Sequence, residues 1–122
     1  MPTKKILIID DDTTHLICAK EILEAEGHQV VVQASPFGAT EKVMLERPDL
    51  VLVDVNMPAL SGEGLIGVLR SRPQTKDARV LLYSSNDEDS LRRAAARLGI
   101  EGYIAKGDPE ELRRTVGRVL TA

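Results

Sequence analysis

Asp49–Gly62 reads DLVLVDVNMPALSG. Leu50, Val51, Leu52, Val53 and Val55 are apolar, and Asp54 interrupts them. A short aliphatic run of this kind reads as a strand buried on both faces. A carboxylate inside it is costly unless it has a partner, a metal or a place at the strand's wet end. Pro58 lacks the N–H that a continuing ladder needs, so the strand stops before it. Asp54 is therefore expected at the carboxyl end of a buried strand.

The same theme recurs on both sides. KILIID (Lys5–Asp10), VVVQA (Val30–Ala34), ARVLLY (Ala78–Tyr83) and EGYIAK (Glu101–Lys106) are short aliphatic runs. Helical periodicity fills the gaps. A first helix is expected over Thr13–Glu26, with Leu16, Ala19, Ile22 and Leu23 as its apolar face and Gly27 as its terminator. Ser35-Pro36 reads as an N-cap followed by a proline at the first helical position, with Pro48 as the stop of that second helix. A third helix follows Ser61-Gly62 through Leu69, and a fourth spans roughly Ser90 to Leu98 before Gly99. Asp108-Pro109-Glu110-Glu111 opens a fifth, whose buried stripe is Leu112, Val116, Val119 and Leu120. Five strands strictly alternating with five helices predict an α/β fold: a doubly wound, five-stranded parallel sheet of order 2-1-3-4-5, the flavodoxin-like (βα)5 arrangement. The order reverses between strands 1 and 3, so the ends carrying Asp10-Asp11 and Asp54 should flank the site.

Composition sets the outer limits. A chain of 122 residues, 43% of them hydrophobic, suits one domain (1–122) with one set of cores. Phe37, Tyr83 and Tyr103 are the only aromatics, so those cores must be aliphatic. The net charge of -3 argues against a direct nucleic-acid binder. Cys18 is the single cysteine, which rules out an internal disulfide and a thiolate cluster and suits a reducing compartment. MPTKKILIID has no signal-peptide pattern, and no run approaches a membrane span, so a cytoplasmic protein without membrane insertion is expected. The fifth helix ends near the end of the sequence, leaving no expected output domain.

Asp10, Asp11 and Asp54 would crowd one another, and like charges that close resist joint ionisation. A divalent cation relieves the conflict, and carboxylate, carbonyl and water oxygens suit Mg2+. Asn56 can add its backbone carbonyl while its side chain turns outward. Lys106 should reach across from the end of strand 5, and the Ser84 hydroxyl from the end of strand 4. Asp12 reads as a helix cap and Met57 as a packing residue. Ser85 is a weaker candidate than Ser84. No histidine base falls at the pocket on this map. His28 precedes strand 2, and His15 reads as solvated or cap-adjacent. The parts assemble into phosphoryl transfer: a cation on the phosphoryl oxygens, Asp54 as carboxylate nucleophile, and Lys106 and Ser84 holding equatorial oxygens.

KKILIIDDD, DLVLVDVNMPALSG, VLLYSS and GYIAKG together give a sequence that resembles the receiver domain of two-component response regulators over nearly its whole length. The resemblance implies that Asp10 and Asp11 are the acidic pair, with Asp11 the direct Mg2+ ligand. It implies Asp54 as phosphoacceptor, the Asn56 main-chain carbonyl as a further metal ligand, Ser84 as the hydroxyl, Lys106 as the lysine and Tyr103 as the switch aromatic. The implied donor is a sensor histidine kinase or a histidine phosphotransfer protein, or a small phosphodonor. Such a domain is not an enzyme on other substrates; it catalyses only its own phosphorylation and dephosphorylation. The implied output is a partner on the face of helix 4, strand 5 and helix 5, or a phosphorylation-dependent homodimer. One departure is Gly107, where much of the family has proline.

Three rivals use the same residues differently. Asp10-Asp11-Asp12-Thr13-Thr14 satisfies Asp-x-Asp-x-Thr, the motif of haloacid-dehalogenase-like phosphatases, with Asp12 as acid–base. That alternative leaves Asp54 without a role. A flavin module needs a hydroxyl- and glycine-rich loop where this chain has acids. A degenerate receiver acting only as a scaffold has no use for the complete set of pocket residues.

Overall fold

Every residue of the stretches 50–53 and 80–84 is buried, as the aliphatic runs require. The computed structural model describes residues 4–121. Strands β1 (Lys5–Ile9), β2 (Gln29–Gln33), β3 (Leu50–Val53), β4 (Val80–Ser84) and β5 (Gly102–Ala105) alternate with helices α1 (Thr13–Ala25), α2 (Ala39–Glu46), α3 (Gly62–Arg70), α4 (Glu88–Leu98) and α5 (Pro109–Thr121). All pairings are parallel and the order is β2-β1-β3-β4-β5, as expected from the alternation.

The period-2 pleat splits the core in two. Ile6, Ile8, Leu50, Leu52, Leu81 and Ile104 face α1 and α5, meeting Leu16, Leu23, Leu112 and Val116. Leu7, Ile9, Val51, Val53, Val80 and Leu82 face α2, α3 and α4, meeting Val43, Leu65, Leu69 and Leu91. Each fully buried aliphatic side chain contributes roughly 1.5–3 kcal/mol relative to exposure. Because the central strands are clamped from both sides, the residues just beyond their carboxyl ends are held rigidly at the sheet's edge.

Caps fix the helix starts. The Asp12 carboxylate accepts from the Thr14 and His15 amides at 3.0 and 3.3 Å, so α1 begins at Thr13. Ser61 Oγ accepts from the Gly64 N–H at 3.1 Å. Asp108 Oδ1 accepts from Glu110 and Glu111 at 3.0 and 3.3 Å. Two expected starts move. Asp87, accepting from the Ser90 amide at 3.0 Å, opens α4 at Glu88, ahead of the expected Ser90. Ser35 caps no helix. Its hydroxyl accepts from the Phe37 N–H at 3.1 Å, the Ala39 N–H donates to the Pro36 carbonyl at 3.2 Å, and Gly38 at φ 78 turns the chain before α2 starts at Ala39. A local turn has taken the polar groups that a cap would have used.

Candidate phosphoacceptor site

β1 and β3 run side by side with Ile9 opposite Val53, so Asp10 and Asp54 leave the sheet together. The Asp54 N–H donates to the Ile9 carbonyl at 2.9 Å, and the Asp10 N–H to the Gln33 carbonyl at 3.1 Å. Asp10 is fully buried and Asp54 is 5% exposed, whereas Asp11 faces solvent. One carboxylate oxygen from each of the three lies within 4.8 Å of the others. The expected trio is therefore brought together.

Lys106 closes the far side. Its N–H donates to the Ser84 carbonyl at 2.9 Å, extending the β4–β5 ladder by one residue. Its Nζ reaches back to Asp10 Oδ2 at 2.6 Å and stands 3.7 Å from Asp54 Oδ1. The ammonium also lies 5.4 Å from the centre of the Tyr83 ring. Burial, then the charge of Asp10, push the Tyr83 phenol up to about 12, so that ring is a neutral floor beneath the lysine.

The lysine serves Asp10 first, and Asp54 shows the consequence. Burial and the neighbouring Asp10 charge raise its carboxyl to about 6, against the smaller opposing pulls of Lys106 and the Asn56 amide. Ionising this carboxyl fully needs further positive charge beside it. The donor set is all carboxylate oxygen, which suits a hard divalent cation such as Mg2+.

Ser84 is fully buried at the end of β4. Its Oγ accepts from the Asn86 N–H at 3.2 Å and from Asn56 Nδ2 at 3.4 Å. Asn56 Nδ2 also donates to Asn86 Oδ1 at 2.7 Å. The Asn56 side chain is exposed, but it does not simply turn outward; it bridges the β3–α3 and β4–α4 loops over the site. Met57 is buried in the second core, as expected, and Ser85 is exposed. Tyr103, opposite Leu82 on β5, is half-buried against that same core. Gly107 takes φ 108, a left-handed conformation that favours glycine.

Two histidine expectations separate. His28 precedes β2, at the opposite edge of the sheet. His15 is neither merely solvated nor merely cap-adjacent: its Nδ1 is 2.9 Å from Lys106 Nζ. The sequence places His15 early in α1 but carries no signal of how far Lys106 leans toward it. Asp12 is occupied as the α1 cap, and the His15 amide, its leading partner, lowers its carboxyl below the usual range. It is not free for the acid–base role that a dehalogenase-like site would ask of it.

Comparison with known proteins agrees with the fold. Residues 6–117 match the family described as the response regulator receiver domain. The chain is 32% identical over 103 residues to the probable chemotaxis protein CheY of Rhizobium etli, covering 84% of this chain and 80% of that one. It is 31% identical over 121 residues to sporulation initiation phosphotransferase F of Bacillus subtilis, covering 98% and 96%. The crystal structure of a putative response regulator from Chloroflexus aurantiacus superposes with a TM-score of 0.90 at 29% identity, covering 99% of this chain and all of that one. No helix among the described residues is long and apolar enough to cross a membrane.

Proposed function

Because the chain belongs to the response regulator receiver domain family of two-component signalling, we propose that Asp54 is its phosphoacceptor and that Asp10, Asp11 and Lys106 equip it for that task. The observation that carries this reading is the convergence of three carboxylates and one buried ammonium at the carboxyl ends of β1, β3 and β5. An Asp54 carboxylate oxygen attacks phosphorus of a phosphohistidine on a sensor histidine kinase or histidine phosphotransfer protein. A P–O bond forms as the P–N bond breaks, and the departing imidazole nitrogen keeps the electron pair. Lys106 holds a phosphoryl oxygen as a point charge. The Ser84 hydroxyl donates to another, leaving its contact with Asn56. Asp11, Asp10, Asp54 and the Asn56 main-chain carbonyl would hold Mg2+, which when bound neutralises phosphoryl oxygens and the crowded carboxylates. Catalysis here is positioning and charge neutralisation, and its only substrate besides the donor is the chain's own aspartate.

The readout lies on the face of α4, β5 and α5. Pulling Ser84 toward a phosphoryl group leaves space beside β4, and Tyr103 on the neighbouring strand turns into it. Phosphate binds one of two existing arrangements more strongly and shifts their populations. A partner protein or a second phosphorylated copy reads the changed surface.

Incubation with acetyl phosphate and Mg2+, followed by intact-mass measurement, tests this. One phosphoryl group should be gained by the wild type, none after chelation of the metal and none by Asp54→Asn. Gain of mass by Asp54→Asn equal to wild type would remove Asp54 from the role.

A further inference from the structure

The phosphoryl chemistry proposed above requires Lys106 to present its charge from a fixed place, and the role assigned below to His15 rests on that reading. A lysine stem is flexible and holds its position only through partners at its end. Lys106 Nζ has two close ones: Asp10 Oδ2 at 2.6 Å and His15 Nδ1 at 2.9 Å. An ammonium only donates, so His15 Nδ1 accepts, and the neutral ring carries its proton on Nε2. The carboxylate oxygens nearest Nδ1 stand farther off than the ammonium, at 3.4 Å (Asp12) and 3.9 Å (Asp10). The His15 backbone is itself fixed, since its N–H donates to the Asp12 cap at 3.3 Å.

These two partners differ in kind. Asp10 is claimed twice, by Lys106 and by the carboxylate trio suited to a cation. His15 lies outside that trio, and Lys106 Nζ is the polar group nearest its Nδ1. A ring that accepts through Nδ1 is neutral, so it orients the ammonium without cancelling the charge that a phosphoryl oxygen needs. With N–H groups given to Asp10 and His15, the remaining one is left for a group on Asp54, whose Oδ1 is 3.7 Å away. We propose that His15 is a positioning residue for Lys106, holding Nζ through the Nδ1 lone pair so that the lysine meets the incoming phosphoryl group without reorganising.

Two measurements on the full chain test this. Nitrogen NMR of the metal-free protein, at a pH where the imidazole is neutral, should show the His15 proton on Nε2; a proton on Nδ1 overturns the proposal. Labelling of Asp54 by acetyl phosphate with Mg2+ should slow roughly tenfold at saturating donor in His15→Leu, the scale of one hydrogen bond to a charged group. His15→Gln, whose side-chain carbonyl can accept from the same ammonium, should recover most of that rate. Mg2+ affinity by calorimetry should be unchanged in both. A wild-type rate in His15→Leu, no rescue by glutamine, or a rate loss matched by a loss of Mg2+ affinity would each overturn the positioning role. Absence of labelling in the wild type would instead strike the phosphoacceptor reading, and the tautomer measurement would still decide the His15–Lys106 contact.

Discussion

A Cβ on Gly62 would stand 2.9 Å from the carbonyl carbon of Asp54 and closer still to its oxygen. The first residue of α3 thus packs directly on the backbone of the proposed phosphoacceptor, and its N–H donates to the Val55 carbonyl at 3.1 Å. Gly62→Ala should force the Asp54 loop aside and cost about 1–3 kcal/mol, the range for overpacking a tight site. Gly67→Ala is the contrast: nothing lies within 4 Å of its Cβ position in the same helix. It should stabilise by about 0.5–1 kcal/mol through helix propensity. Urea unfolding of both variants checks the pair, and equal effects would contradict the close approach at Gly62.

Asp54 predicts a pH dependence. Its carboxyl is raised from 3.8 to about 6, so the native chain binds its proton more tightly than the unfolded chain does. Stability from this group is full below the unfolded value and is lost as pH rises through about 6. In chelator, Asp54→Asn should therefore exceed the wild type in stability near neutral pH, by on the order of 3 kcal/mol. The gap should close as pH falls toward the unfolded value of 3.8. Denaturation midpoints across that range measure it, and a wild type more stable than the variant at neutral pH would contradict the sign.

The three clustered carboxylates predict stabilisation by Mg2+. At a concentration a hundredfold above the dissociation constant, linkage gives about 2.7 kcal/mol. Asp11→Ala should remove most of the binding, because Asp11 is the exposed member of the trio and the one free to meet a hydrated ion. Calorimetry that finds equal affinity in wild type and variant would exclude Asp11 as the main ligand.

The parts of this chain that were legible in the sequence are those governed by apolar pattern. Leu50–Val53 and the runs like it dictated strands buried on both faces, and strict alternation dictated the order of the sheet. Asp10, Asp54 and Lys106 then met at one edge because strand ends cannot go elsewhere. Polar side chains with several competing partners were harder. Ser35 found the Phe37 amide instead of a helix, and Asp87 took the cap before Ser90 was needed. Asn56 bridged to Asn86 and Ser84, and His15 found Lys106 across a sequence distance of 91 residues. Nothing local encodes such contacts; they depend on how far each side chain reaches once the sheet is built.

Ser84 carries the signalling prediction. Ser84→Ala should leave Asp54 able to accept phosphate but uncouple it from Tyr103, because the hydroxyl drawn toward the phosphoryl group is gone. Amide spectra around Tyr103, recorded with and without a phosphoryl mimic such as beryllium fluoride, report the coupling. The wild type should show shifts there and Ser84→Ala much smaller ones. Identical responses would leave the switch without its trigger.

Above all, the carboxylate of Asp54 must itself bond to phosphorus. An acyl phosphate is reduced by borohydride to the alcohol, which turns a phosphorylated aspartate into homoserine and leaves free carboxylates intact. The chain should be treated with acetyl phosphate and Mg2+, reduced, digested and sequenced by mass spectrometry. Homoserine at position 54 alone is the predicted result. Homoserine at position 10, with Asp54 unmodified, would contradict it and assign the nucleophile to the end of β1.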